Sequence, residues 1–214
     1  LSITQRSLLR SRLTSGANAL QVRLSDEVCE QMLCYIELLE SWNKKFNLTA
    51  IRDPVEMVTR HLLDSLSIAP YVHGKTLVDI GSGAGLPGIP LALIAPERQI
   101  TLVDSNGKKA RFLQEAKSAL DLANVSIALT RIEQLRQRFD CVTARAFSTL
   151  GEMLKLGGHL LAQGGIWLAQ KGRYPEAELA GVPSEFRIVS IPKLVVPELQ
   201  AERHLVILQR SNLL

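Results

Sequence analysis

The segment Asp79-Ile80-Gly81-Ser82-Gly83-Ala84-Gly85-Leu86-Pro87-Gly88 constrains this chain more than any other. It sets four glycines within eight positions, between the apolar run Thr76–Ile80 and a helix-compatible stretch from Pro87 to Ala95. Glycines let a backbone turn sharply and let a ligand come close at the carboxyl edge of a sheet. Pro87 presets the first turn of the following helix. The segment therefore reads as a strand-to-helix turn built to hold something.

The surrounding rhythm supports that reading. Ile100–Asp104, Val125–Leu129, Cys141–Ala144 and Gly165–Ala169 are further short apolar runs. Helical stretches separate the first four runs: Pro87–Ala95, Lys108–Leu122 and, less regularly, Ile132–Arg138. Strands alternating with helices predict βαβ units and a parallel sheet. Phe186–Val196 and His204–Gln209 are β-rich with no helix between them, which predicts an antiparallel hairpin at the end. The fold expected is α/β: a mostly parallel, seven-stranded sheet finished by that hairpin.

Residues 1–74 read instead as a helical extension packed on a core of residues 75–214. Ser25 caps a helix whose first turn holds Asp26 and Glu27, where the helix dipole favours anions. Val28, Met32, Tyr35, Ile36, Leu39, Trp42 and Phe46 then form one apolar stripe at helical period. Asp53-Pro54 restarts a helix that is expected to run to about Ala69.

Composition excludes several classes. The 214 residues are 46% hydrophobic and 21% charged, which excludes a disordered chain. Cys29, Cys34 and Cys141 are odd in number and form no metal pattern, so neither disulfides nor a metal is expected. No apolar run reaches the roughly 18 residues of a membrane span, and Arg6, Arg10 and Arg12 interrupt any leader-like start. A monomer in the cytoplasm is the expectation. The net charge of 25 − 21 = +4 permits a nucleic-acid partner without requiring one.

The glycine loop admits two ligand registers. Gly83-x-Gly85-x-x-Gly88 matches a dinucleotide fingerprint, the basis of a nicotinamide-dependent dehydrogenase. That register leaves Gly81 unexplained and sets Asp79 beside a pyrophosphate, two anions in one cleft. In the register Asp79-x-Gly81-x-Gly83-x-Gly85 the acid ends the strand, which suits a phosphate-free ligand with a cationic amino-acid end, such as S-adenosylmethionine. Asp104, ending the second strand, can accept from a ribose diol, which both ligands carry.

Together these residues resemble the first motif of class I, Rossmann-like methyltransferases. More narrowly, the chain resembles the glucose-inhibited division protein B family, bacterial 16S ribosomal RNA guanine-N7 methyltransferases. Asn47-Leu-Thr-Ala-Ile51, Arg60-His61, Asp64-Ser65, Val103-Asp-Ser105, Thr143-Ala-Arg-Ala146, Lys171-Gly172 and Arg203-His-Leu205 agree with it, over roughly residues 25–210. The resemblance implies S-adenosylmethionine as cofactor, with contacts at Gly81, Leu86, Ile132, Glu133 and Arg145, joining Asp79, Gly83 and Asp104. It implies small-subunit ribosomal RNA, naked or as a ribosomal subunit, as partner. A non-catalytic ribosome-binding domain that kept the fold is a further alternative, and the intact loop argues against it.

Guanine N7 carries no proton, so its methylation needs no general base. Positive charge develops on the guanine as the methyl arrives, and a carboxylate nearby would stabilise it. Asp64 is the candidate for that catalytic role. The RNA-binding residues expected are Asn47, Thr49, Arg60, His61, Lys171, Arg203 and His204, with the histidines stacking on or hydrogen-bonding to a base. Removing the charge of Lys171 or Arg203 is expected to weaken RNA binding and flatten its salt dependence, measured by titration at several salt concentrations.

Overall fold

The computed structural model describes residues 2–145 and 148–211. Two helices lead the chain. Helix α1 (Ile3–Ala19) opens on a capping box in which Ser2 and Gln5 satisfy each other's backbone N–H. Helix α2 (Asp26–Phe46) is capped by Ser25, whose hydroxyl accepts from Val28 N, and Asn47 ends it in the left-handed conformation (φ 48°). Arg6 and Arg10 of α1 bridge to Asp26, Glu30 and Glu37 of α2.

Asp53 caps α3 (Pro54–Met57), as its sequence predicts. The helix does not then continue regularly. A π-helical stretch (Val58–Leu63) intervenes before α4 (Asp64–Leu66), so the expected plain helix to Ala69 is corrected. Such wide turns carry an extra residue and expose carbonyls for other partners, often at functional sites.

Seven strands follow: β1 (Thr76–Ile80), β2 (Gln99–Asp104), β3 (Val125–Leu129), β4 (Phe139–Arg145), β5 (Leu161–Lys171), β6 (Phe186–Ser190) and β7 (His204–Arg210). They form one sheet in the order β3-β2-β1-β4-β5-β7-β6. The first five are parallel, and β7 is antiparallel to both β5 and β6. Crossovers run through α5 (Gly88–Ile94), α6 (Gly107–Ala119) and α7 (Leu150–Gly157). Between β3 and β4 the expected helix shrinks to one 3₁₀ turn, Ile132–Gln134. Helix α7 has no counterpart in the sequence reading. Beyond β5, α8 (Glu176–Leu179) is a single turn.

Both sheet faces are covered. In β1, Leu77 belongs to the apolar cluster shared with α1, α2, α5 and α6, whereas Val78 and Ile80 belong to the cluster under α7. Strands buried on both faces are apolar almost throughout, which explains the continuous runs in the sequence. The N-terminal helices share the first cluster with the sheet: Leu9, Leu33 and Leu62 join Ile100 and Leu168. Tyr35, Trp42 and Phe112 lock α2 onto α6, with Trp42 edge-on to Phe112 at 5.6 Å. Tyr35 also donates its hydroxyl to Ala84 O (2.8 Å), tying α2 to the glycine loop.

At the far end of the sheet, Asp140 Oδ2 accepts from Lys75 N (2.8 Å), Thr76 N and Thr76 Oγ1 (both 3.0 Å). These donors hold its carboxyl below the usual carboxylate range. A depressed native pKa means the stabilisation is complete above the unfolded value near ~3.9 and is lost as pH falls through the native one. Asp140→Ala should cost roughly 1–2 kcal/mol at neutral pH. In urea titrations from pH 7 downward, its gap from the wild type should close in acid.

Candidate functional site

The carboxyl ends of β1 and β4 are neighbours at the point where the strand order reverses, the usual crevice for ligands in open α/β sheets. The loop after β1 takes three left-handed glycines there: Gly81 (φ 65°), Gly83 (φ 60°) and Gly85 (φ 84°). Two carboxylates brace it from below. Asp79 Oδ2 accepts from Gly88 N (3.0 Å), and Asp104 Oδ2 accepts from Gly83 N (3.0 Å). Asp104 Oδ1 accepts from Asn106 N (2.8 Å), and Lys109 approaches Oδ2 at 3.5 Å.

A cavity of about 670 Å³ opens at this edge, with Gly81, Asp104, Ile132, Glu133 and Arg145 among its walls. Five of the expected cofactor residues, from four separate segments, thus converge. Three others sit differently. Gly83 braces the loop through Asp104, and only Gly81 O lies within 4 Å of where its side chain would begin. Leu86 is turned into the apolar core and is not part of the wall, so its expected packing on adenosine is corrected. Asp79 is fully buried beneath the loop rather than lining the cleft.

Asp79 is nevertheless informative. Its Oδ1 is a buried acceptor with no donor among the described residues. Burial pushes the carboxyl up to about 7, against the lowering effects of the Gly88 N–H and Arg145. An ammonium group near the loop would supply the missing donor and favour the charged carboxylate. A phosphate would do neither. The residues present therefore fit S-adenosylmethionine better than a dinucleotide. Among the described residues, no cluster of three or more metal-type side chains occurs and no helix is long and apolar enough to cross a membrane.

A second cavity, about 390 Å³, lies alongside and is lined by Arg60, His61, Asp64, Arg145, Gln170, Lys171 and Arg203, with Ile51 and Gly172. Arg145 borders both cavities. Asp64 organises this second one. Its Oδ2 accepts from Arg145 Nη1 (3.1 Å) and its Oδ1 from Arg203 Nε (2.7 Å). Its side chain is only 3% exposed. Two guanidinium groups already neutralise its charge, so Asp64 offers no net negative charge to a developing cation. The expected catalytic role is corrected to that of a residue positioning Arg145 and Arg203. Arg145 Nη1 also donates to Arg60 O in the π-helical stretch (3.2 Å).

The expected RNA contacts separate into two groups. Arg60 is 43% exposed, with only a 3.6 Å approach to Glu56. Arg203 is partly exposed at the cavity wall. Thr49, His61, Lys171 and His204 serve the scaffold, while Asn47 is exposed at the end of α2. Lys171 Nζ donates to Ser148 O (2.6 Å) and Glu178 Oε2 (2.8 Å) and is largely buried, which corrects its expected place on an RNA face. His204 is buried and donates from Nδ1 to Gly172 O (3.1 Å), so it is no stacking platform. Asn47 is the left-handed cap of α2 and accepts from Arg52.

Thr49 and His61 hold each other. His61 Nδ1 faces Arg60 O (3.0 Å), which can only accept, so Nδ1 carries the proton. Nε2 then accepts from the Thr49 hydroxyl (2.9 Å), which itself accepts from Ile51 N (3.1 Å). Burial, reinforced by Arg145, pushes the imidazole down to about 4, so it is neutral at physiological pH. Asn43 completes the brace, accepting from Thr49 N and donating to Ile51 O. The sequence reading passed over Asn43 and Gln170, and took Tyr35 for an apolar stripe residue without its hydrogen bond to the glycine loop. A polar residue breaking a buried apolar stripe or strand is the signal that marks Asn43 and Gln170. Ala146, the last residue of the Thr143–Ala146 segment, lies outside the described residues.

Removing one partner of a buried ion pair leaves the other charges uncompensated. Asp64→Ala leaves two guanidinium groups facing each other and should destabilise the fold by about 3 kcal/mol, the low end for such losses because both arginines are partly exposed. Chemical denaturation checks this.

The profile of the GidB family, rRNA small subunit methyltransferase G, matches residues 28–206. The ribosomal RNA small subunit methyltransferase G of Ectopseudomonas mendocina (strain ymp) is 49% identical over 99% of this chain and 100% of its own length. The protein of that name from Xanthomonas campestris pv. campestris (strain B100) is 50% identical over 91% of this chain and 93% of its own. Among solved structures, a ribosomal protein L11 methylase from Lactobacillus delbrueckii subsp. bulgaricus superposes with a TM-score of 0.54 at 16% identity, covering 70% of this chain and 77% of its own. A coclaurine N-methyltransferase bound to N-methylheliamine and SAH gives 0.53 at 13% identity, covering 88% and 74%. Likeness at that identity shows the methyltransferase fold, and the near-complete matches at half identity go further: this chain belongs to the GidB family of rRNA small subunit methyltransferase G proteins.

Proposed function

We propose that this protein transfers a methyl group from S-adenosylmethionine to N7 of a guanine in small-subunit ribosomal RNA. The observation that carries the reading is the pair of cavities meeting at Arg145, one at the glycine loop and one edged by arginines. When bound, S-adenosylmethionine supplies an activated methyl on a cationic sulfur. The chain's contribution is positioning. The loop backbone at Gly81 receives the amino-acid end, with the buried Asp79 carboxyl beneath it favouring a cationic group. Asp104 keeps lone pairs for the ribose diol beside the bonds it already makes. Glu133 and the Ile132 backbone receive the adenine.

Guanine N7 is an acceptor with no proton to lose, so no side chain needs to act as a base. His61 fits that requirement, since its Nε2 lone pair is taken by the Thr49 hydroxyl. Holding N7 and the methyl in line can supply up to roughly 7–11 kcal/mol of the barrier. A ribosomal RNA substrate implies work in the cytoplasm, where ribosomes are made and used. Arg60 and Arg203 supply charge for the phosphates, with no single residue dominating.

Three outcomes check this reading. S-adenosylmethionine and its demethylated product should raise the melting temperature, by the equivalent of ~2.7 kcal/mol at 100 times Kd. Stabilisation by NAD alone would overturn the reading, and binding without transfer to deproteinised RNA, subunits or ribosomes would favour a non-catalytic role. Because burial raises the Asp79 pKa to about 7, the ammonium end meets a carboxylate only above that value. Calorimetry should show affinity for the demethylated product falling as pH drops from 7.5 to 6, and Asp79→Asn should abolish the trend. Finally, Arg60→Ala should lower the salt slope of RNA binding by about 0.7–0.9, whereas Lys171→Ala should lower the melting temperature and leave that slope unchanged.

A further inference from the structure

Gln170 stands at the carboxyl end of β5, paired in register with Arg145 of β4 and Leu205 of β7. It interrupts a run that is otherwise apolar, Ile166-Trp167-Leu168-Ala169, and its residue is 3% exposed. It also lines the cavity that Asp64, Arg145 and Arg203 edge. Its amide is oriented by chemistry. Asp64 O can only accept, so the atom facing it at 3.3 Å is the Nε2 donor. The remaining atom, Oε1, is a buried acceptor without a donor among the described residues. Such an atom is costly to leave unmade, and a cavity wall is where a ligand can complete it.

The neighbours of this acceptor have the opposite need. Arg145 commits Nη1 to Asp64 and Arg60 O, and Arg203 commits Nε to Asp64 and Nη1 to Glu202 O. Their other N–H groups make no hydrogen bond within the described residues. The wall therefore offers one fixed acceptor beside fixed cationic donors. A base that fits must show donors and an acceptor on adjacent positions. Guanine does, with N1–H and N2–H next to O6. Adenine shows the reverse, an acceptor at N1 beside the N6 donor. Pyrimidines lack N7. The cavity, about 390 Å³, is within the range of small-ligand sites, and an unstacked RNA base can enter such a site and be read on its edges.

We propose that Gln170 selects guanine, its Oε1 accepting from the Watson–Crick edge of the target base while the guanidinium groups beside it donate to O6. This rests on the methyl-transfer reading above and adds the group that discriminates between purines. No covalent step involves Gln170. Its amide nitrogen holds Asp64 O, and its oxygen reads the substrate.

Two variants separate those halves. Gln170→Met removes the acceptor at similar volume, and Gln170→Glu keeps an acceptor while losing the donor to Asp64 O. Methyl transfer to small-subunit RNA particles, affinity for the demethylated cofactor and melting temperature are measured for both. Gln170→Met should lose at least about tenfold in kcat/KM with cofactor affinity unchanged, and Gln170→Glu should retain most of the rate. Full activity of Gln170→Met overturns the proposal, as does an equal loss in both variants with cofactor affinity and melting temperature intact. An arm on the unaltered protein, saturated with the demethylated cofactor, covers the case in which the variants do not fold. Guanosine monophosphate should bind at least about tenfold more tightly than adenosine monophosphate or 1-methylguanosine monophosphate, and equal binding overturns the proposal. If the unaltered protein methylates no guanine in any particle, the methyl-transfer reading itself fails, a result distinct from either.

Discussion

Asp64 is held by two arginines that reach it from the ends of different strands of the sheet. Arg145 comes from the end of β4 and Arg203 from the residue before β7, and Asp64 itself belongs to the helical region preceding β1. One carboxylate thus joins three parts of the chain that are remote in sequence. In a buried setting a charge must be paired and hydrogen-bonded to be tolerated, so each member constrains the other two. Arg145 carries that constraint to the cavity at the glycine loop, because it borders both spaces. The π-helical stretch adds to it by lending Arg60 O to Arg145 and His61 at once.

This arrangement changes the meaning of the charge count. The net charge of +4 looks weak for a protein of RNA. Much of the acidic charge lies on α2, where Asp26, Glu30 and Glu37 are taken up by Arg6 and Arg10 of α1, away from both cavities. At the second cavity, Arg60, Arg145, Lys171 and Arg203 stand against Asp64 as the sole acid in the wall. Lys171 is then internally paired with Glu178, leaving the arginines as the charges available to a polyanion. Local distribution and not the total decides whether phosphate is attracted.

Much of the fold was legible because its signals are local or periodic. The strand runs, the Ser25 and Asp53 caps, the α2 stripe and the glycine turn all depend on residues within a few positions of one another. The failures share a physical cause. The helix expected between β3 and β4 reduces to one turn, because Leu135 already turns extended after Ile132–Gln134 and packs on the same apolar cluster as Ile132. The π-helical widening at Val58–Leu63 leaves no mark in the sequence, since it is stabilised by partners from β4 and from the Asn47–Ile51 loop. Lys171 and His204 look like surface contacts in sequence, yet their partners, Ser148, Glu178 and Gly172, make them structural.

The sequence alone determined the strand-to-helix glycine loop, the two acids at strand ends, the alternation that makes a parallel sheet and the family motifs. Each is written in contiguous residues whose backbone and burial preferences act over short range. Only the tertiary structure decided which oxygen of Asp79 lacks a donor among the described residues, that Asp64 holds two arginines, and that Gln170, in the wall of the same cavity, keeps a buried acceptor unpaired. Those outcomes depend on pairings between segments up to 139 residues apart, as for Asp64 and Arg203. A side chain's chemistry is set by what surrounds it in a low-dielectric interior, and the sequence names the side chain without naming its surroundings.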